Sequence, residues 1–205
     1  MIAIIDYGVG NLFSLKCSLS SIGQDVIITG DKDEIKKADK IILPGVGAFE
    51  DAAKKLKESG LNDVVKSEAK AGKPLLGICL GMQLLLEKSF EFGEHYGLGL
   101  IAGEIHPISE VIPEDYKIPH IGWNSLKFSA KRSELFKYIN EGDFVYFVHS
   151  YYGVKCKEST IATAEYGAEL TAAVQNGNIF GCQFHPEKSG TVGLNILRAF
   201  CEMEV

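Results

Sequence analysis

The feature that most constrains the fold is an alternation in the first half of the chain: short apolar runs of β type, each followed by residues at helical spacing. "IAIID" ends at a glycine-rich turn. "NLFSLKCSLSSIG" then sets Leu12, Leu15, Leu19 and Ile22 on one helical face, with Gly23 as the stop. "DVIITG" precedes a short polar helix, "DEIKKA". "KIILPGVGAF" runs into a Pro-Gly turn and then "FEDAAKKLKESG", a helix ended by Gly60. A further helix, "NDVVKSEAKAG", leads to a fourth apolar run, "KPLLGICLG". Strands separated by helices of this length need crossover connections, which predicts an α/β fold with a mostly parallel central sheet and helices on both faces. From about Gly97 to Gly181 the pattern becomes strand-rich, in "FVYFVHSYY", "STIATAEY" and "LTAAVQNGNIFGCQF". Asn176-Gly177 there signals a tight hairpin, so antiparallel additions are expected in the C-terminal half. "VGLNILRAFCEM" reads as a closing helix. With no repeat, low-complexity stretch or linker, residues 1–205 are expected to form one domain, which the length permits.

Composition closes off several classes of function. A net charge of −6 gives no basic footprint for nucleic acid. No apolar run approaches the roughly 20 residues that span a membrane. The start "MIAIIDYGVGN" lacks the basic flank of a signal peptide and reads as a first strand. Five cysteines, odd in number and without a C-x-x-C pair, fit reduced thiols in a cytoplasm better than a disulfide framework or zinc site. Neither "YGVGN" nor "PGVG" completes a phosphate-loop pattern, and no cofactor or metal is expected.

Chemistry concentrates in two places. Cys79 stands where a short apolar strand meets an amphipathic helix, inside Gly77-Ile78-Cys79-Leu80-Gly81. That is the small-x-nucleophile-x-small arrangement of a nucleophile elbow, and the positive end of a helix favours the reactive thiolate. Bracketing glycines and a strand end argue for a displayed sulfur, whereas Cys17, Cys182 and Cys201, on apolar faces, are expected simply to pack. The second place is "GCQFHPEKSG". His185 and Glu187 are two apart, and Pro186 pushes His185 toward extended backbone, on which both side chains leave from one face. A carboxylate there can orient the imidazole and stabilise its charged form. The other histidines give weaker signals. His95 reads as an exposed loop residue, His106 as partnerless, His120 as surface or interface, and His149 as a strand cap or ligand contact.

"GICLGMQLL" together with "FHPEKSG" resembles the class I glutamine amidotransferases, whose glutaminase domains use a Cys-His-Glu triad. The resemblance runs nearly the whole chain through "IIDYGVGNL", "PGVGAF", "PHIGWN" and "YFVHSYY". It implies that Cys79, His185 and Glu187 are catalytic, and that the amides of Val46 and Leu80 form the oxyanion hole. It further implies that Gly45, Gly47, Gln83, Glu91, His149, Ser150 and Tyr151 bind L-glutamine. One departure is visible: the family commonly pairs acidic residues after the serine, whereas this chain reads Ser89-Phe90-Glu91. The combination of "YGVGNL", "PHIGWN" and "HPEKSG" is most similar to the branch that serves histidine biosynthesis. There, ammonia passes to a (β/α)₈ cyclase partner that makes imidazole glycerol phosphate and AICAR from PRFAR. That implies a heterodimer, with Asn11, Trp123, Asn124, Tyr146 and Lys188 near the junction. Three other readings stay open on sequence: a paralogue feeding another synthase, such as one amidating a surface sugar; a γ-glutamyl peptidase; and a non-catalytic binding subunit.

Overall fold

The computed structural model describes residues 1–130 and 132–204. Its first half runs β1 (Ile2–Ile5), α1 (Leu12–Ser21), β2 (Val26–Thr29), α2 (Lys32–Lys37), β3 (Lys40–Leu43), α3 (Phe49–Glu58), α4 (Leu61–Lys70), β4 (Leu75–Ile78) and α5 (Leu80–Leu85). Then come β5 (Lys88–Ser89), β6 (His95–Tyr96), β7 (Glu104–Pro107), β8 (His120–Ser125), β9 (Lys127–Phe128) and β10 (Phe144–His149). The chain closes with β11 (Tyr151–Val154), β12 (Thr160–Glu165), β13 (Glu169–Asn176), β14 (Ile179–Cys182) and α6 (Gly190–Glu202).

Eight strands form the main sheet in the order β2-β1-β3-β4-β14-β13-β12-β9. The pairings from β2 to β14 are parallel, and those from β14 to β9 are antiparallel. Strands β1, β3, β4 and β14 are buried at every position, as strands covered on both faces must be. Side-chain alternation divides the core. Ala3 and Ile5 pack with Phe49, Val65 and Leu85, while Ile2 and Ile4 pack with Leu15, Leu19 and Ile196 on the other face. Helices α2 to α5 therefore cover one side, and α1 and α6 the other. The parallel half thus matches the sequence expectation.

The second half is more divided than its sequence suggested. "FVYFVHSYY" breaks at Ser150, which separates β10, paired with β8, from β11, which joins a four-stranded sheet in the order β11-β7-β5-β6. The hairpin turn falls on Gly177 and Asn178 rather than Asn176-Gly177, because Asn176 itself pairs with Ile179. Helix α5 is not amphipathic. All six of its residues are buried, since the loop after β6 bonds over its end, with Leu98 N–H to Leu84 O at 2.7 Å and Leu100 N–H to Leu85 O at 2.9 Å. Cys17 is exposed on the outer side of α1 instead of packed, while Cys182 is buried and Cys201 half-buried. Among the described residues, no helix is long and apolar enough to cross a membrane.

Adjacent β4 and β14 are parallel, with Ile78 opposite Cys182. Both therefore release their chains at the same, carboxyl end of the sheet, where open α/β sheets form their clefts.

Candidate active site

Cys79 occupies the turn between β4 and α5 with φ 55° and ψ −113°, in the left-handed half of φ space that a side chain rarely adopts. Its neighbours make the turn possible. A Cβ at Gly77 would lie 2.7 Å from Gly81 O, and one at Gly81 would lie 1.9 Å from Leu43 O. Only glycine lets the start of α5 sit against the ends of β3 and β4. The sulfur is less displayed than the motif suggested. Cys79 is 8% exposed, and its opening is onto a cavity of about 600 Å³.

His185 leaves β14 and lines the same cavity as Cys79, its Nδ1 2.8 Å from Glu187 Oε1. The His–Glu contact does not come from an extended strand, as the spacing predicted. His185 is extended (φ −100°, ψ 98°), but Pro186–Lys188 is a turn of 3₁₀ helix that swings Glu187 back beneath the ring. Both side chains are nearly sealed, at 3% and 4% exposure. Burial opposes a charge on His185. The hydrogen bonds and negative charges of Cys79 and Glu187 outweigh it and raise the imidazole to about 9.

Val46, Gly47, Leu80, Gln83, Glu91, His149, Ser150 and Tyr151 line this cavity together with Cys79 and His185. Gly45 lies just behind, where a Cβ would come within 2.9 Å of Gly81 N. The loop at 44–47 is thereby seated on the start of α5, and the buried Tyr7 hydroxyl donates to Pro44 O at 2.7 Å to hold it. Glu91 is not on a helix but follows β5. Its Oε2 accepts from Phe49 N–H at 2.5 Å and so caps α3, which has no side-chain cap of its own. The departure at Phe90 has a packing reason, for its ring meets His106 edge-on at 4.8 Å with Lys88 4.9 Å above it.

The family profile described as glutamine amidotransferase class-I matches residues 3–203. The chain belongs to the class I glutamine amidotransferases. The imidazole glycerol phosphate synthase subunit HisH of Caldanaerobacter subterraneus subsp. tengcongensis is 50% identical over 204 residues, 99% of this chain and 98% of that protein. The subunit of the same name from Wolinella succinogenes is 47% identical over 205 residues, 99% of this chain and all of that one. Among solved structures, PurLQS from Thermotoga maritima superposes with a TM-score of 0.76 at 21% identity, covering 98% of this chain and 96% of that chain. A structure titled glutamine amidotransferase gives 0.76 at 19%, covering 98% of each chain. At such identities these two likenesses speak for the fold alone.

Around the cavity of this amidotransferase lie the residues expected near a partner. Trp123 is 51% exposed on the two-stranded sheet and meets Tyr146 edge-on at 5.9 Å, so it is not a core aromatic. Lys188 Nζ lies 5.9 Å over the Tyr146 ring and also lines the cavity, which makes Trp123, Tyr146 and Lys188 one continuous row. Asn11 stands apart as the N-cap of α1, whose packing against the 186–188 turn is its link to the site. Asn124 turns to the protein. Its Nδ2 donates to Glu165 O at 2.8 Å, and its Oδ1 lies 2.7 Å from His120 Nε2.

His120 is a correction. It is 1% exposed, stacked between Phe147 and Tyr166, with Nδ1 3.0 Å from His149 Nε2. His149 Nδ1 in turn lies 2.9 Å from Tyr151 O. The chain of three contacts ends on two oxygens that only accept, so filling it takes one more proton than two neutral imidazoles carry. Burial keeps both rings neutral, lowering His120 and pushing His149 down to about 4, the latter with help from the charge of His185. His106 is not partnerless, since both ring nitrogens lie 3.1 Å from carboxylates, Glu104 and Glu110. His95 is half-buried on β6, not an exposed loop residue.

One residue was missed. Gln183 is fully buried between β14 and His185, its Nε2 3.8 Å from Cys79 Sγ and its Oε1 accepting from Gln83 Nε2 at 3.0 Å. The available signal was a polar amide inside the otherwise apolar "IFGCQF", which a buried strand end tolerates only with partners.

Proposed function

We propose that this chain is the glutaminase subunit of an imidazole glycerol phosphate synthase. It would act as one domain in the cytoplasm and supply ammonia to a (β/α)₈ cyclase subunit. The carrying observation is that Cys79 and His185, with Glu187 behind the imidazole, meet in one cavity at the ends of β4 and β14. Full-length identity near 50% with subunits of that name supports the partner over another synthase or a free peptidase.

The imidazole starts as the imidazolium, being held well above its usual range, and the attacking form of a cysteine is the thiolate. Cys79 Sγ attacks the side-chain carbonyl carbon of glutamine. The developing oxyanion would face the amides of Val46 and Leu80, whose residues line the cavity with Cys79. His185 gives its proton to the nitrogen as the C–N bond breaks, so ammonia leaves and a glutamyl thioester remains. Water then loses a proton to His185 and adds to the thioester; sulfur departs as thiolate, and glutamate is released. Glu187 holds the ring so that Nε2 points at these atoms. Glu91, Gln83 and the 149–151 segment fix the amino-acid head, Glu91 through the carboxylate oxygen that does not cap α3. Ammonia passes to the cyclase, where PRFAR is converted to imidazole glycerol phosphate and AICAR.

The direct test is to mix the purified chain with the cyclase subunit of the same organism and measure glutamine-dependent product. Coupled synthesis supports the assignment; glutaminase activity indifferent to the cyclase contradicts it. Two further outcomes are expected in that complex. Because the leaving ammonia needs a protonated His185, kcat/KM for glutamine should fall as pH rises through about 9. A limb at an ordinary imidazole value would mean the ion pair does not form. The stability sign is the same: a raised folded value stabilises fully below the unfolded value and is lost as pH climbs through about 9. Lys188→Ala is expected to lower glutamine-driven turnover roughly tenfold while sparing ammonia-driven turnover, as loss of one docking charge does. An unchanged glutamine rate removes Lys188 from the coupling.

A further inference from the structure

Three side-chain contacts connect the wall of the cavity to the sulfur. Gln83 Nε2 donates to Tyr151 O at 3.2 Å and to Gln183 Oε1 at 3.0 Å, which uses both of its hydrogens. Those two acceptors fix the Gln83 amide, because a backbone carbonyl cannot donate. The same step fixes Gln183. With its oxygen occupied by Gln83, its Nε2 is the end turned to Cys79 Sγ, at 3.8 Å, within reach of a sulfur acceptor. Gln183 is 0% exposed and its backbone N–H is bonded to Ala172 O at 2.8 Å, so neither end of the residue has room to turn. The direction of donation is therefore set along the whole chain, and it ends on the sulfur.

We propose that Gln183 is a positioning residue of the glutaminase: its side-chain amide donates to the Cys79 sulfur, favouring the thiolate, and ties that sulfur to Gln83 in the cavity wall. The proposal rests on the glutaminase reading above. A donor aimed at sulfur stabilises the charged form over the thiol and over the thioester, so it helps both the attack and the later departure of the thiolate. Because the amide is neutral, it does this without competing with Glu187 for the imidazole. It also aims the sulfur: Cys79 already stands at a strained φ, and the contact from Gln183, the residue after β14, limits the rotamers left to it.

The test is the pH dependence of Cys79 alkylation by iodoacetamide in the full chain, compared between the native protein and Gln183→Met, which keeps length and apolar volume but has no N–H. The alkylation midpoint is expected to rise by about one pH unit, the worth of a hydrogen bond to a charged acceptor. A folding defect alone would change the melting temperature and not the midpoint. An unmoved midpoint in a folded variant overturns the proposal. Should the variant not fold, the native protein decides: the side-chain ¹⁵N–H₂ resonances of Gln183 must shift when Cys79 is alkylated, and stationary resonances overturn it equally. Failure of the parent reading looks different, for then glutamine would not protect Cys79 of the native protein from alkylation.

Discussion

Cys79→Ser should leave the assembled complex unable to use glutamine, with a loss of three orders of magnitude or more, of the size seen when a nucleophile is removed from a catalytic unit. Ammonium salt should still drive synthesis at the native rate, because the cyclase chemistry does not pass through this residue. The substitution replaces sulfur by oxygen at a site 8% exposed and leaves the strained turn and both bracketing glycines untouched, so the melting temperature should hardly move. A serine there lacks the activation that the site gives sulfur: the imidazole of His185 in the same cavity and the approach of Gln183 both serve an anion that a hydroxyl does not readily form. Retention of the glutamine-driven rate would remove Cys79 from the chemistry.

Gly81→Ala should damage fold and activity together. The added methyl would stand 1.9 Å from Leu43 O and 2.9 Å from Leu43 C, both main-chain atoms, so no rotamer change can relieve it. Either α5 moves away from β3, carrying Leu80 and Gln83, or the end of β3 moves and takes the 44–47 loop with it. Overpacking against backbone of this kind costs on the order of 3 kcal/mol, a fall of about 10 °C in melting temperature for a chain of this size. If the 44–47 loop carries the oxyanion amide proposed for it, displacing it by about 1 Å would cost roughly another hundredfold in glutamine turnover. Ammonia-driven synthesis in whatever complex still assembles should suffer less. A native melting temperature with native glutamine turnover would show that the contact between α5 and β3 is slack.

Those two effects trace back to residues that were readable at the outset. Gly77-Ile78-Cys79-Leu80-Gly81 could be read because the elbow needs small residues at fixed offsets, and the parallel half because strands buried on both faces leave uninterrupted apolar runs. His185 and Glu187 were found from their spacing although the local geometry was wrong, since a 3₁₀ turn and an extended strand can both bring residues two apart together. What failed was local pattern without tertiary partners. Strands β5, β6 and β9 are two residues long and carry no periodicity to detect. Ser150 splits one apolar run between two sheets because β11 finds its partner in β7, over 40 residues earlier in the chain. His106 gained carboxylates from Glu104 and Glu110 only once β7 and the turn after it were folded. Gln183 is informative only through Gln83 and Cys79, each about a hundred positions away.

The most direct measurement is to find where the glutamyl group sits in mid-reaction. The assembled complex is fed glutamine labelled at the side-chain carbonyl carbon, quenched in acid during turnover, digested, and searched for labelled peptides by mass spectrometry. The expected result is a hydroxylamine-labile glutamyl group on Cys79 alone, absent from Cys79→Ser. Label on another residue, or turnover with no covalent adduct under conditions that preserve thioesters, would contradict the account.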